Sequence, residues 1–394
     1  MRDGWVEYKF KDVATAVKGK LPKSKNEDGL GIPYLTASFL RSGKPDYWIE
    51  NLEGVVTAED SDCLILWDGA GAGDLFSAHH GVVSSTMAVV TTQNSKILRE
   101  FLTLFISSKA EYIKETCRGT TVPHVSPDAI ANMDLKIPPL PEQKRIVDLI
   151  SSVDLYIEAL QQELESAKKS RSSLVESQIL ELSDSSLFSL KNVSTKIGSG
   201  ATPRGGEEVY IETGVNLIRS QNVHDSNFVM RGLVAIEDSA ATALENVTVE
   251  KGDVLINITG ASVTRCCVVD STILPARVNQ HVAIIRSDKG KILPKYLVLV
   301  LTSNEVKGFL NDIAGTGSTR QALTKSHLED LEIPVPSISK QTEIIENSDT
   351  FDIAISKSQI ALDEAKILRS GLLNDLLSGD HEIPASYDKV MGAA

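Results

Sequence analysis

Residues 137–154 read IPPLPEQKRIVDLISSVD and residues 155–180 continue LYIEALQQELESAKKSRSSLVESQIL. Apolar side chains recur at Ile146, Ile150, Val153, Ile157, Leu160, Leu164, Ala167 and Leu174, with Arg171 filling the remaining slot. This alternation of four and three is the seam of a coiled coil. Nothing after Pro141 breaks a helix, so about 40 residues form a rod on the order of 60 Å long, more than one small domain needs to bury a face. A helix of that length joins or spaces something.

The stretch returns 198 residues later, from Val335-Pro336 through SISKQTEIIENSDTFDIAISKSQIALDEAKILRSGLLNDLL. Gln341 stands where Gln143 stood and Asp352 where Asp154 stood, while Ile344, Phe351, Ile355, Leu362, Ala365, Arg369 and Leu372 repeat the ladder. The match is closest over Leu164–Leu174, where Leu362, Ala365, Lys366, Arg369, Ser370 and Leu372 are identical to their counterparts. An internal duplication therefore sets the architecture.

The segments outside the rods follow one script twice. Phe188-Ser-Leu-Lys-Asn-Val matches Tyr8-Lys-Phe-Lys-Asp-Val, an opening strand, and Val215-Asn-Leu-Ile matches Ile32-Pro-Tyr-Leu, a strand that runs into a turn. Gly252-Asp-Val-Leu-Ile-Asn answers the buried strand Ser61-Asp-Cys-Leu-Ile-Leu, and His281-Val-Ala-Ile-Ile answers Thr86-Met-Ala-Val-Val. Lys96–Cys117 has helical spacing, Ser126-Pro127 caps a further helix, and Tyr296 onward repeats Phe101 onward. Gly317-Ser-Thr-Arg-Gln-Ala-Leu answers Gly119-Thr-Thr-Val-Pro-His-Val. The offset climbs through 180, 182, 191 and 195 to 198, so the length differences lie inside the globular parts and the rods keep one register. The boundaries expected are a first domain over 1–136, a helix over 137–186, a second domain over 187–334, a helix over 335–379 and a tail over 380–394.

Composition narrows the function classes. The 394 residues, 42% hydrophobic, suffice for two domains, and no run approaches the roughly 18 apolar residues of a membrane span. The N-terminus has no signal-peptide core and the four cysteines form no metal-ligand spacing, so a cytoplasmic protein without structural metal is expected. The net charge of −13 opposes a simple basic DNA-binding module. The rods and tail carry −8 of it, however, and residues 187–333 only −1, so nucleic-acid affinity would come from local clusters or a more basic partner.

Gly69-x-Gly71-x-Gly73 imitates a cofactor loop, but no capped helix follows it and its counterpart Asn257-Ile-Thr-Gly-Ala-Ser lacks the pattern. There is no P-loop and no (Asp/Asn)-Pro-Pro-aromatic motif, and no nucleophile–base set repeats between the halves. The chain does not read as an enzyme, and no cofactor is expected. What repeats is a set of hydrogen-bonding side chains beside the strand ends. In the first half these are Lys23, Lys25, Thr36, Ser38, Arg41, His79, His80, Arg118, Thr120 and His124. In the second they are Arg204, Arg219, Gln221, Asn222, Arg265, Arg277, Asn279, Gln280, Arg320 and Gln321. Arg pairs with guanine edges and Asn or Gln with adenine. Any one of them is more often a solvated surface group; as sets they are the candidates for DNA contact.

The duplicated start of the rods, with Pro138, Pro141 and Gln143 in one copy and Pro336 and Gln341 in the other, resembles the specificity (S) subunits of type I restriction–modification systems, the HsdS family. The resemblance covers essentially the whole chain; the second copy departs from the pattern at Ser339, in place of Pro141, and at Ser348 and Ser358 on the seam. It implies an α+β fold: two mixed α/β target-recognition domains separated by two long helices that form an antiparallel coiled coil with pseudo-twofold symmetry. It also implies that each domain reads one half of a bipartite double-stranded DNA site, and that the helices set the gap and dock two methyltransferase subunits. Restriction subunits would join in the nuclease form. Adenine methylation and ATP-driven cleavage would belong to those partners. The rival from another class is a coiled-coil scaffold that does not touch DNA, which the acidic charge favours and the divergent loops oppose.

Overall fold

The computed structural model describes residues 4–60, 62–119, 122–182, 187–315 and 322–391. The chain divides into two compact units, residues 1–161 with 360–394 and residues 162–359. Two helices of 41 residues, Leu140–Leu180 and Ile338–Ser378, each give one segment to each unit. Sequence periodicity marks both helices but not this division, which cuts each of them near its middle.

Inside each unit the two helix segments run antiparallel. In the first, Ile146 and Ile150 share a core with Leu373 and Leu376, and Asp154 meets Arg369, so the contacts climb one helix as they descend the other. In the second, Arg171 meets Asp352 and Glu163 meets Ser358. Asp154 and Asp352 are equivalent in the duplication, as are Arg171 and Arg369, so the partners are exchanged between units. The arginine that interrupts the apolar ladder thus lies on the seam as half of an ion pair. Ser348, also on the seam, is fully buried and its hydroxyl has no partner among the described residues.

Each unit carries one α/β head built on the same strands. Thr15–Lys18, Met87–Thr91, Cys63–Leu66 and Leu75–Ser77 form an antiparallel sheet in that order, matched by Ser194–Ser199, Val282–Ser287, Val254–Asn257 and Cys266–Val268. A second sheet pairs Ile32–Leu35 in parallel with Gly81–Val83, as Val215–Ile218 pairs with Ala276–Val278. The central strands, CLIL and VLIN, are buried at every position because both of their faces are covered. Each opening strand closes on the strand before its helix, Val6↔Ile137 in one head and Leu187↔Pro334 in the other.

Three local expectations change in detail. The opening strand ends at Lys9, and Phe10–Val13 is a helical turn that buries Phe10. The turn after Leu35 is a short helix, Ala37–Ser42, capped by Thr36 and closed by Gly43 at φ +72°. The helical stretch 96–117 is two helices, Arg99–Ser108 and Ala110–Glu115, broken at Lys109.

A buried glutamine ties each helix to its head. Gln143 Oε1 accepts from the Leu98 amide at 2.8 Å, and its Nε2 donates to the carbonyls of Lys96 (2.7 Å) and Pro138 (2.8 Å). Gln341 makes the same three bonds to Leu293 (2.8 Å), Lys291 (2.8 Å) and Pro336 (2.9 Å). Neither residue exposes any surface, so each buried amide has its own donor and acceptor satisfied by these backbone groups.

Candidate nucleic-acid interface

The sharpest likeness between the heads is the turn after the central buried strand. In the first head Gly73 N–H donates to Leu66 O (2.8 Å), Ala72 to Gly69 (2.9 Å), Asp74 to Gly71 (2.9 Å), and Leu66 back to Asp74 (2.8 Å). In the second, Thr264 donates to Asn257 (2.8 Å), Val263 to Gly260 (3.0 Å), Arg265 to Ser262 (3.2 Å), and Asn257 back to Arg265 (2.8 Å). Every bond recurs at an offset of 191 residues. The strained position is kept as well: Gly73 has φ +90° and its counterpart Thr264, a β-branched residue, has φ +73°. The glycines of the first turn supply this backbone, with φ +103° at Gly69 and +96° at Gly71.

The side chains on the shared backbone differ in charge. In the first head the turn carries Asp68 and Asp74, each held by cations: Lys18 at 2.5 Å from Asp68, and Arg41 (2.6 Å) and Lys114 (2.8 Å) on Asp74. The hydrogen bond from Lys114, reinforced by Arg41, holds the Asp74 carboxyl below the usual carboxylate range. Arg41 also lies over the Phe76 ring at 5.6 Å, so a carboxylate and an aromatic face orient its guanidinium. In the second head the same positions are Thr259 and Arg265, and Asn311 takes the place beside Thr264 that Lys114 takes beside Gly73.

Around Arg265 a cleft of about 390 Å³ is lined by Ser220, Thr259, Ser262 and His281. Buried Asn257 ties the turn to the neighbouring loop by donating to Ser220 O at 2.9 Å and Val223 O at 3.3 Å. His281 Nδ1 lies 2.5 Å from Thr259 Oγ1, and Gln280 Nε2 lies 2.8 Å from His281 Nε2. The imidazole is thus bracketed by a hydroxyl on one ring nitrogen and an amide on the other.

The other sequence candidates separate by what their side chains already do. Arg219 and Gln221 both donate to Gly232 O, at 2.7 and 2.9 Å, and Arg219 lies over Tyr210. Lys23 pairs with Glu53 and Lys25 sits over Tyr34 and Tyr47. His79 stacks on Phe39, His80 meets Glu59 at 2.9 Å, and Ser38 is exposed on the helix that Thr36 caps. Arg118 and His124 form a backbone bridge beside the first turn, and Arg204 lines a separate cavity in the second head. Thr120, Arg320 and Gln321 lie outside the described residues, as does most of the stretch answering Gly119.

Several candidates are spent on the fold itself. Asn222 is fully buried, with its amide on Val229 O and Arg231 O and its oxygen on the Arg219 amide, so it shapes the loop instead of facing a ligand. Asn279, 6% exposed, accepts from the His281 amide. Arg277 donates to the carbonyls of Ala241 and Ala276, and the Thr36 hydroxyl accepts from the Phe39 amide. Asn222, Asn279, Arg277 and Thr36 thus each bond backbone groups of their own head. Residue type alone fitted them for base contact, but the same amide, hydroxyl and guanidinium groups also serve buried backbone. Conversely, type alone passed over Lys18, Asp68, Asp74 and Lys114 in the first head and Thr259 and His281 in the second. The signal that would have found Asp74 is its alignment with Arg265.

Burial pushes the thiols of Cys63 and Cys267 up to about 12, which leaves neither as a nucleophile. Among the described residues no group of His, Cys, Asp or Glu is arranged to hold a metal, and no helix is long and apolar enough to cross a membrane.

Two α/β heads on one strand plan, each joined through a buried glutamine to an antiparallel helix pair, define a duplicated scaffold with variable loops. The family model described as "Type I restriction modification DNA specificity domain" matches residues 2–169 and again 183–363, and the chain belongs to that family. It is 24% identical over 400 residues to the type I restriction enzyme MjaVIII specificity subunit of Methanocaldococcus jannaschii, covering 96% of this chain and 93% of that one. It is 21% identical over 443 residues to the EcoBI specificity subunit of Escherichia coli, covering 99% and 92%. Among solved structures it is similar to the type I restriction–modification S subunit from M. genitalium, with a TM-score of 0.55, 13% identity, and 95% and 96% of the two chains covered. A chain from a study of type I restriction–modification complex assembly and conformational transition gives 0.63 at 17% identity, with 97% and 99% covered.

Proposed function

We propose that this chain selects the DNA sequence for a type I restriction–modification complex, each head reading one half of a bipartite duplex site. The observation that carries the proposal is the repeated turn: one backbone, bond for bond, presenting different side chains in the two heads. That is what two readers of different half-sites require. The acidic helices and tail would occupy methyltransferase subunits, two per chain, one for each copy of the repeat. Restriction subunits would join in the nuclease form. S-adenosylmethionine and ATP chemistry would reside in those partners, in the cytoplasm.

The test is DNA binding by the chain with and without its methyltransferase partner, over a range of salt, followed by mapping of methylated sites. A two-part motif with a fixed gap is expected; assembly without DNA affinity would instead identify a scaffold. Deleting one heptad from both helices would shorten them by about 10 Å, and should shorten the gap by roughly 3 base pairs. An unchanged gap would remove the helices as its ruler.

A further inference from the structure

The two turns differ most at one position. Asp74 and Arg265 occupy equivalent places, closing the same backbone ring onto the central strand, yet they carry opposite charge. The surroundings change with them. Beside Asp74 stand Arg41 and Lys114; beside Arg265 stand Ser220, Thr259, Ser262 and His281, and the lysine is replaced by Asn311. Arg265 has no side-chain hydrogen bond or ion pair among the described residues, although it is only partly exposed and lines an open cleft.

From this geometry we infer that Arg265 is a specificity-determining residue of the second head, reading the O6/N7 edge of a guanine in the half-site that this head contacts. Three features favour base reading over phosphate contact. Its guanidinium is spent on no other group, so its donor fork is available for a bidentate contact. It sits on a turn fixed by four backbone bonds and by buried Asn257, so the point from which the side chain reaches is held in place. Its cleft neighbours are hydroxyls and an imidazole, with no lysine or second arginine among them, groups that can hydrogen-bond to an adjacent base. The first head cannot read its half-site this way at the equivalent position, since Asp74 is an acceptor already occupied by two cations.

This inference rests on the DNA-reading proposal, and the experiment separates the two. Duplexes would be selected from a randomised pool by the full chain in complex with its methyltransferase partner, for wild type, Arg265→Gln and Arg265→Lys. For Arg265→Gln, preference for guanine should fall about 10- to 100-fold at one position of one half-site, with the other half-site and the salt dependence unchanged. Arg265→Lys should retain part of the preference. An unaltered motif in Arg265→Gln would overturn the inference while leaving DNA reading intact. So would uniform weakening across all sequences with a reduced salt slope, which marks a phosphate contact. A wild-type complex that enriches no motif would overturn the DNA-reading proposal, and this inference with it.

Discussion

Where head joins helix, the two halves of this chain are copies down to single hydrogen bonds; at the turn after the central strand they share a backbone and little else. Gln143 and Gln341 meet the same three backbone groups. Asp74 and Arg265 share a ring of backbone bonds and oppose each other in charge. The helix junction is buried, so any change there leaves polar groups without partners, whereas the turn is open to solvent and its side chains can vary at small cost in stability. One scaffold therefore holds its energy at one end and its variable chemistry at the other.

The largest effect is expected at the junction. Gln143→Ala takes their side-chain partner from the Leu98 amide and the Lys96 and Pro138 carbonyls and empties the space of a fully buried side chain, and should destabilise the first unit by about 2–4 kcal/mol. The three tryptophans, Trp5, Trp48 and Trp67, all lie in that unit, so their fluorescence during denaturant unfolding reports on it. Gln341→Ala should produce an equal loss in the second unit, visible by circular dichroism and not first by tryptophan. Loss in only one of the two variants would break the equivalence of the junctions.

Next come the exchanged ion pairs. Asp154 holds Arg369 on two nitrogens and raises its pKa further, burial opposing. Both side chains are partly exposed, so Arg369→Ala should cost about 1–2 kcal/mol by the same fluorescence measurement, and Arg171→Ala a similar amount in the second unit. Reversing the first pair, Asp154→Arg with Arg369→Asp, should recover most of the loss; no recovery would mean that packing of the arginine stem, and not the pairing, carries it.

A smaller, directional contrast tests the shared turn. Gly73→Ala places a Cβ at φ +90°, 2.9 Å from the Lys114 side chain, and should cost about 1–2 kcal/mol. Thr264→Gly relieves the same strain but loses the bond to Asn311, so its effect should be near zero. Equal losses for the two would show that the turns are not under the same constraint.

The smallest effect is in pH. The Asp74 carboxyl titrates lower in the folded protein than unfolded, so its contribution is complete above the unfolded value near 3.9 and is lost as pH falls through the folded value. Tryptophan-monitored stability should therefore decline below about pH 4 less steeply in Asp74→Asn than in wild type. Indistinguishable slopes would mean that Lys114 and Arg41 add nothing to stability through Asp74.

The duplication, both long helices, the seam and the matching strands were legible in the sequence because each depends on periodicity or on local repetition. Ile146, Ile150, Leu160 and Leu164 are buried as the ladder requires, and Gln143 stood out by recurring as Gln341. The candidate contacts were less legible. Asn222 and Gln221 are neighbours of similar chemistry, yet one is sealed inside a loop and the other is exposed, a difference that depends on where Val229 and Gly232 return in space. Arg171 illustrates the same limit: its slot on the seam was evident, its partner Asp352 was not.

What the sequence determined by itself was the repeat, its register and the helical seam, since hydrophobic spacing along the chain dictates which face of a helix or strand is buried. Only the tertiary structure decided that each helix gives the acid to the ion pair of one unit and the arginine to that of the other, and that one turn backbone carries Asp74 in one head and Arg265 in the other. Those outcomes depend on contacts between residues far apart in the chain, whose energies no local pattern encodes.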